Sequence, residues 1–125
     1  MPVLGLGTDI VEIVRVSNAL LKSNRLAERV LTEGELAVFL EHNQPDRFLA
    51  KRWAAKEAAA KALGTGIGRG ISFHHFHISN DDLGAPHMEL LGSALEHAEV
   101  KGVKSVLVSI SDEQHYALST VVLSA

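Results

Sequence analysis

A short alanine-rich segment of the chain carries one acidic and three basic residues, namely Arg52, Lys56, Glu57 and Lys61. A second acid, Asp9, lies far away in the sequence, at the end of a strand-like segment that contains two glycines. Carboxylate oxygens suit hard cations such as Mg²⁺, and lysine and arginine neutralise phosphate oxygens. These residue types indicate a site for a metal ion and a phosphate-rich ligand.

The two glycines, Gly5 and Gly7, are expected on the same face of their strand as Asp9, because side chains alternate along a strand. Two missing side chains beside an acid leave room either for a ligand or for the close approach of another backbone. The sequence of the strand does not choose between these alternatives.

The alanine-rich segment is predicted to be a helix over about 45–63, with Gly64 as its C-cap. At 100° per residue its apolar side chains fall on one side, and they are Phe48, Ala55, Ala58, Ala59, Ala62 and Leu63. One face of this helix is therefore expected to pack against the core. The opposite face is expected to present the acid and the three cations.

The charged residues of this helix form two stripes. Glu57 and Lys61 lie roughly opposite the apolar side, and Arg52 and Lys56 lie between them and the edge of the core. Glu57 four residues before Lys61 is also an ordinary surface pair, worth about 0.2–0.5 kcal/mol. The helix alone favours a solvated charged face, so a binding surface needs support from other parts of the chain.

A glycine-rich loop at 64–70 follows the helix. It is not a Walker loop, because it lacks the Gly-Lys-Ser/Thr ending and follows a helix instead of preceding one. The C-terminal end of a helix carries partial negative charge, so its dipole does not attract phosphate. An anion at this loop would be held by Lys61, Lys56, Arg52 or the backbone amides of the turn.

The remaining segments predict an α+β fold with an antiparallel sheet packed against the long helix. Strands are expected at 3–13, 72–79, 87–91, 105–111 and 116–123, and further helices at 15–30, 32–41 and 93–101. Thr32 followed by Glu35 is the signature of a capping box. Four polar residues at 112–115 are expected to join the last two strands as a hairpin.

The composition points to a single domain over 1–125, with 46% hydrophobic residues and no cysteine. No basic stretch followed by an apolar core marks a secretory signal, and no apolar run reaches the roughly 18 residues of a membrane helix. The expected location is the cytoplasm, with no membrane partner. A net charge of -3 argues against a generally basic nucleic-acid-binding domain.

Four segments of the chain, in their order and spacing, resemble the bacterial holo-acyl-carrier-protein synthases of the 4′-phosphopantetheinyl transferase superfamily. They are 5–13, 47–67, the 84–86 turn, and the closing hairpin formed by 108–111 and 116–117. The most specific part is Trp-Ala-Ala-Lys-Glu at 53–57 with Gly-Thr-Gly at 64–66. The resemblance covers nearly the whole chain and implies the fold of that superfamily.

The resemblance implies an enzyme of fatty acid biosynthesis that transfers the phosphopantetheine arm of coenzyme A to a serine of apo acyl carrier protein. The other product is adenosine 3′,5′-bisphosphate. Mg²⁺ is the implied metal, with Asp9 and Glu57 as its carboxylates, and Lys61 neutralises the pyrophosphate. These three are the implied catalytic residues. Glu57 is the first candidate for the base that takes the serine proton, directly or through a water on the metal.

The resemblance also implies contacts to the rest of coenzyme A. Arg52 and Lys56 lie near its phosphates, the backbone of Gly64, Thr65 and Gly66 wraps the nucleotide, and the turn that contains Pro86 borders the adenine. The chain departs from many relatives at Asp112, where they have a histidine. Asp112 or His115 could act in its place, although a plain turn residue is the commoner explanation.

The partner surface is expected on 15–29, where four cations face one acid in a protein of negative net charge. Acyl carrier proteins are acidic, so complementary charge would steer their encounter with this segment. Arg15 and Arg25 are the predicted docking residues. The resemblance further implies a homotrimer with active sites between subunits, for which the apolar strands near both termini are suited.

Three other interpretations are weighed against this one. His75 and His77 share a strand face and suggest zinc, but no further ligand with suitable spacing follows. A non-catalytic module that binds coenzyme A or a nucleotide would keep Lys61 and the loop without needing both Asp9 and Glu57. A structural oligomer would carry the charged helix only as a solvated face.

Overall fold

A computed structural model describes residues 2–125. In chain order the elements are β1 (Val3–Glu12), α1 (Ile13–Lys22), α2 (Arg25–Val30), α3 (Glu33–Glu41), α4 (Pro45–Leu63), a 3₁₀ turn (Phe73–His75), β2 (Phe76–Asn80), β3 (Pro86–Leu90), α5 (Gly92–Lys101), β4 (Ser105–Asp112) and β5 (Tyr116–Ser124). Strands β1, β5 and β4 form one antiparallel sheet, and β2 and β3 form a second. The predicted α+β class with antiparallel strands is confirmed.

Helix α4 is the element around which the others pack. Alanine has the highest helix propensity, Pro45 starts the helix at its first turn, and Gly64 ends it in the left-handed conformation with φ 82°. The side chains predicted to pack are all buried, but so are several others around the helix, including Arg52 and Lys56. Small alanine side chains let neighbouring elements approach from almost every direction.

Strand β1 lies directly against α4 because Gly5 and Gly7 have no side chains. A methyl group at Gly7 would overlap the carbonyl oxygen of Ala58, and one at Gly5 would overlap that of Ala62. The two glycines therefore make room for a helix backbone and not for a ligand, which decides between the two alternatives left open by the sequence. This close approach also places Asp9 beside the exposed side of α4.

Replacing Gly7 with alanine is expected to destabilise the protein by about 1–3 kcal/mol or more, because the new methyl group must displace α4 from β1. Equilibrium urea unfolding measures the loss. Gly34→Ala in α3 is the matched control, since its nearest contact is only the edge of the His77 ring, at 3.5 Å. Equal stability of the two variants would contradict this account of the β1–α4 contact.

Two predicted elements differ from the structure. The helix expected at 15–30 is two helices, because Ser23 is fully extended and its hydroxyl accepts a hydrogen bond from the Arg25 amide. The strand expected at 72–79 begins only at Phe76. Its first residues instead form a 3₁₀ turn, in which the Ser72 hydroxyl accepts from the His74 amide.

The other predicted boundaries agree to within a residue or two, and the Thr32–Glu35 capping box is present. Among residues 2–125 no helix combines the length and the apolarity that crossing a bilayer requires.

Candidate active site

Asp9 and Lys61 meet where β1 passes the C-terminal half of α4. The Lys61 ammonium group donates to Asp9 Oδ1 at 2.8 Å and to the Thr8 carbonyl oxygen at 3.1 Å. The Lys61 side chain is 52% exposed and that of Asp9 20%. The pair therefore lies at the surface, where a ligand can reach both groups.

Glu57 lies one turn before Lys61 and shares the electrostatic environment of this pair. Burial raises the pKa of the Glu57 carboxyl group, and the negative charge of Asp9 raises it further, while the charge of Lys61 opposes both effects. Two carboxylates and one ammonium group thus form a cluster in which Glu57 is a stronger base than an ordinary glutamate. The residues predicted to be catalytic are brought together.

Lys56 is not available to a ligand, contrary to the expectation that it lies near the phosphates of coenzyme A. Its side chain is fully buried. The ammonium group donates to Glu35 Oε1 at 2.5 Å and to the carbonyl oxygens of Val30 and Phe73. All three of its protons are satisfied inside the protein. Lys56 joins α4 to the neighbouring elements and has no donor left for a phosphate.

Arg52 points into a cavity of about 320 Å³ on another side of α4. Its guanidinium group donates to Asn80 Oδ1 at 2.8 Å and lies over the ring of Phe48. Arg52 Nε is buried and has no hydrogen-bond partner among the described residues. Pro86 and Gly84 line the same cavity, as do two cations that the sequence reasoning missed, Arg47 and Lys51. Their spacing of four residues on α4 is the signal that could have identified them.

The predicted coenzyme A contacts are therefore not in one place on a single chain. Arg52 precedes Lys61 by nine residues, which corresponds to about 180° around a helix. Gly64 and Thr65 line a separate groove against α5. In that turn the Gly66 amide donates to the Ala60 carbonyl oxygen at 3.1 Å, so Gly66 belongs to the helix cap. Each chain thus carries an acidic cluster and a basic cavity on opposite sides of α4.

Asp112 does not stand free as a replacement base. Its Oδ2 accepts from Arg47 at 2.7 Å, and its Oδ1 pairs with Lys51 at 3.3 Å. The hydrogen bond from Arg47 lowers the pKa of the Asp112 carboxyl group despite some opposing burial. A carboxylate held in this way is a weak proton acceptor. His115 is exposed on the adjoining turn, which its carbonyl oxygen ties to Ile13.

His75 and His77, which were considered for zinc, and the neighbouring His74 make separate hydrogen bonds. His77 Nδ1 bonds the Thr32 hydroxyl at 2.8 Å, His74 Nε2 bonds the Glu28 carbonyl oxygen at 2.9 Å, and His75 Nδ1 accepts from the Ser72 amide. Within residues 2–125 no group of three or more potential metal ligands of the His, Cys, Asp or Glu type comes together.

The predicted docking residues lie on α1 and α2. Arg15 and Arg25 are both exposed, and neither makes an ion pair within the part of the chain that the structure describes. Arg29, farther along α2, stacks on the Phe73 ring at 5.4 Å, and its positive charge acts on the Glu57 carboxyl group. The basic surface of α1 and α2 therefore extends to the acidic cluster.

Comparisons with known proteins identify the family of this chain. Residues 5–121 match the family model described as ACPS, 4′-phosphopantetheinyl transferase superfamily. The chain is 57% identical over 126 residues to a holo-[acyl-carrier-protein] synthase of Shewanella frigidimarina, with all of both chains covered. The chain therefore belongs to the 4′-phosphopantetheinyl transferase superfamily, as the motifs had predicted.

Solved structures show the same fold. The holo-[acyl-carrier-protein] synthase of Neisseria meningitidis superimposes with a TM-score of 0.90 at 41% identity, over 99% of this chain and 100% of that one. A holo-(acyl-carrier-protein) synthase of Bacillus anthracis, solved in complex with CoA (3′,5′-ADP), gives a TM-score of 0.81 at 36% identity, over 97% of this chain and 96% of that one.

Proposed function

We infer that this chain transfers the 4′-phosphopantetheine arm of coenzyme A to a serine of apo acyl carrier protein and releases adenosine 3′,5′-bisphosphate. The observation that carries this inference is the cluster of Asp9, Glu57 and Lys61, in a chain whose relatives are holo-[acyl-carrier-protein] synthases. We further propose that residues 1–125 act as one domain and that the reaction serves fatty acid biosynthesis in the cytoplasm.

The chemistry follows from the three side chains. The serine oxygen bonds to the phosphorus that carries pantetheine, the pyrophosphate bond breaks, and adenosine 3′,5′-bisphosphate leaves. Glu57 accepts the serine proton, and burial raises the pKa of its carboxyl group, which makes it a stronger base than an ordinary glutamate. Lys61 donates two of its three ammonium protons to Thr8 and Asp9. The third proton would be donated to a pyrophosphate oxygen.

The donor set fits Mg²⁺, the metal proposed for this site. Asp9 and Glu57 are close enough for one charge to raise the pKa of the other carboxyl group, a repulsion that a divalent cation would relieve. Mg²⁺ needs only one or two protein carboxylates, because waters and substrate phosphates complete its shell. When bound there, it would supply charge neutralisation at the transferring phosphate.

We propose a homotrimer in which each active site combines two half-sites from different chains. The acidic half-site is the cluster of Asp9, Glu57 and Lys61, and the basic half-site is the cavity beside Arg52. The separation of Arg52 and Pro86 from Lys61 around α4 supports a shared site. An apolar face of the β1–β5–β4 sheet points away from α4, and its exposed side chains are Leu6, Ile10, Leu107 and Leu118. Several exposed apolar side chains on one face of a sheet favour an interface.

Introducing aspartate at Leu6 is expected to prevent this assembly, because a charge would be buried in an apolar contact. Light scattering after size exclusion measures the mass relative to the 13.5 kDa chain. Leu83→Asp is the control, because Leu83 is 96% exposed on the 81–84 turn, away from this sheet. A Leu6→Asp variant with the mass of the wild type would argue against the sheet face as the interface.

Charge reversal at Arg15 and Arg25 is expected to raise the KM for the carrier protein about 10- to 100-fold, because charge complementarity speeds encounter. The KM should also become less sensitive to salt. Lys104→Glu, at an exposed lysine before β4, is the control that matches the net charge of each single reversal. A docking role is refuted if the double variant keeps both the KM and its salt dependence.

Intact mass spectrometry of purified apo acyl carrier protein tests the proposed reaction. Incubation with the chain, coenzyme A and Mg²⁺ is expected to add one phosphopantetheine, and a chelator is expected to prevent this gain. No gain with several carrier proteins, from a folded sample, would sink the transferase proposal. Thermal stabilisation by coenzyme A in that case would favour a non-catalytic binding module.

A further inference from the structure

The cavity beside Arg52 is lined by three cations, two of which pair with the same carboxylate. Arg47, Lys51 and Arg52 all belong to α4 and line its wall. The Arg52 guanidinium group donates to the neutral Asn80 Oδ1, and its buried Nε has no partner among residues 2–125. Three cations on one wall, of which only two have a counter-charge, favour an anionic ligand.

Asp112 is the carboxylate that pairs with this wall. It bridges Arg47 at 2.7 Å and Lys51 at 3.3 Å, with only 24% of its side chain exposed. Asp112 lies two residues beyond Ile110 on β4, so both side chains emerge on the same face of the sheet, and Ile110 lines the cavity. The negative charge therefore stands next to the space that an anion would fill.

The same contact fixes the position of Arg47. Besides Asp112, the Arg47 guanidinium group donates to the carbonyl oxygens of Glu113 at 2.7 Å and Gln114 at 3.4 Å. Asp112 thus has two separable effects. Its charge offsets part of the attraction that three cations exert on an anion, and its oxygens hold Arg47 and Lys51 at the rim.

We propose that Asp112 is a built-in counter-anion that sets the affinity of this cavity for a phosphomonoester while holding Arg47 and Lys51 in place. The ligand class rests on the proposed function, in which the nucleotide half of coenzyme A occupies the basic half-site. An incoming phosphate competes with Asp112 for the same two cations. Binding is therefore weaker, and release of the leaving nucleotide easier, than three unpaired cations would allow.

Isothermal titration with adenosine 3′,5′-bisphosphate tests this role, with Asp112→Asn and Asp112→Ala as the informative pair. Asparagine keeps an oxygen that accepts from Arg47 but removes the charge, and it should tighten binding roughly 3- to 10-fold with a steeper salt dependence. Alanine removes both effects and should bind less tightly than the asparagine variant. Glu99→Gln, an exposed acid on α5, removes the same charge elsewhere and should match the wild type.

Two results would overturn the proposal. The first is an Asp112→Asn variant that binds the bisphosphate no more tightly than the wild type. The second is an equal gain in the affinity of Asp112→Asn for uncharged adenosine, since the shape of the cavity and not its charge would then explain the tighter binding. Because the titration requires no turnover, it is independent of the transfer assay. If Asp112→Asn binds the bisphosphate more tightly but the protein transfers no phosphopantetheine, the counter-anion proposal is supported and the transferase proposal is refuted.

Discussion

Replacing Glu57 with glutamine is expected to slow phosphopantetheine transfer roughly 10²- to 10⁴-fold, which is the range for the loss of a positioned general base. Glutamine is nearly isosteric but neither accepts the serine proton nor offers Mg²⁺ a full charge. Single-turnover transfer to apo acyl carrier protein, followed by intact mass, measures the rate. The transfer rate of Asp9→Asn is expected to fall in parallel, because the variant removes the second carboxylate charge and leaves Lys61 without its counter-charge.

The loss should not come from unfolding. Burial and the Asp9 charge already disfavour the ionised Glu57 carboxyl group in the folded protein, so the neutral amide is expected to leave the thermal midpoint unchanged or higher. Glu99→Gln, distant on α5, serves as the charge-matched control and should keep full activity. If Glu57→Gln transferred phosphopantetheine at the wild-type rate, the proposed function would stand, but the role assigned to Glu57 would be wrong.

Replacing Lys56 with methionine is expected to cost about 3–5 kcal/mol of folding free energy, because Glu35 would remain buried without its counter-charge. Urea unfolding of the isolated variant measures the loss. Lys51→Met is the control, since Lys51 sits in the same helix but its ion pair with Asp112 is partly exposed and worth at most about 1 kcal/mol.

A second substitution separates pairing from packing. Adding Glu35→Gln to Lys56→Met should recover part of the stability, because the unpaired charge is then gone while Oε1 and the side-chain length remain. The recovery is expected to be incomplete, since Glu35 also accepts from the Ile78 and Thr32 amides. The structural role of Lys56 would be contradicted if Lys56→Met had normal stability and a many-fold higher KM for coenzyme A. That result would assign Lys56 to phosphate binding.

Several elements of this protein could be predicted from its sequence because they depend on local interactions. Alanine content, Pro45 and Gly64 determined the span of α4. The spacing of Thr32 and Glu35 identified a capping box that the structure contains. These features depend on residues within one or two helical turns of each other. The relative positions of such residues are the same in every α-helix. The motifs at 5–13 and 53–57 likewise identified the superfamily.

Tertiary packing decided what each charged residue faces. Helical periodicity gave the angles of Lys56 and Lys61 around α4 but not the elements that would cover each stripe. The α3 residue Glu35, 21 positions away, meets Lys56 in the interior, while Asp9, 52 positions away, meets Lys61 at the surface. The capping-box glutamate therefore has a second role that its spacing from Thr32 does not reveal.

The same limit applies to the glycines of β1 and to the basic cavity. Gly5 and Gly7 proved to accommodate the backbone of α4, and Arg52 faces a cavity whose walls include the distant residues Pro86 and Ile110. A buried lysine has a different role from an exposed one. Its charge is removed from water, so it must be paired within the protein and is then not available to bind a ligand. A one-dimensional pattern specifies which side chains share a direction, and only the packing of distant elements determines whether that direction leads to solvent or to the core.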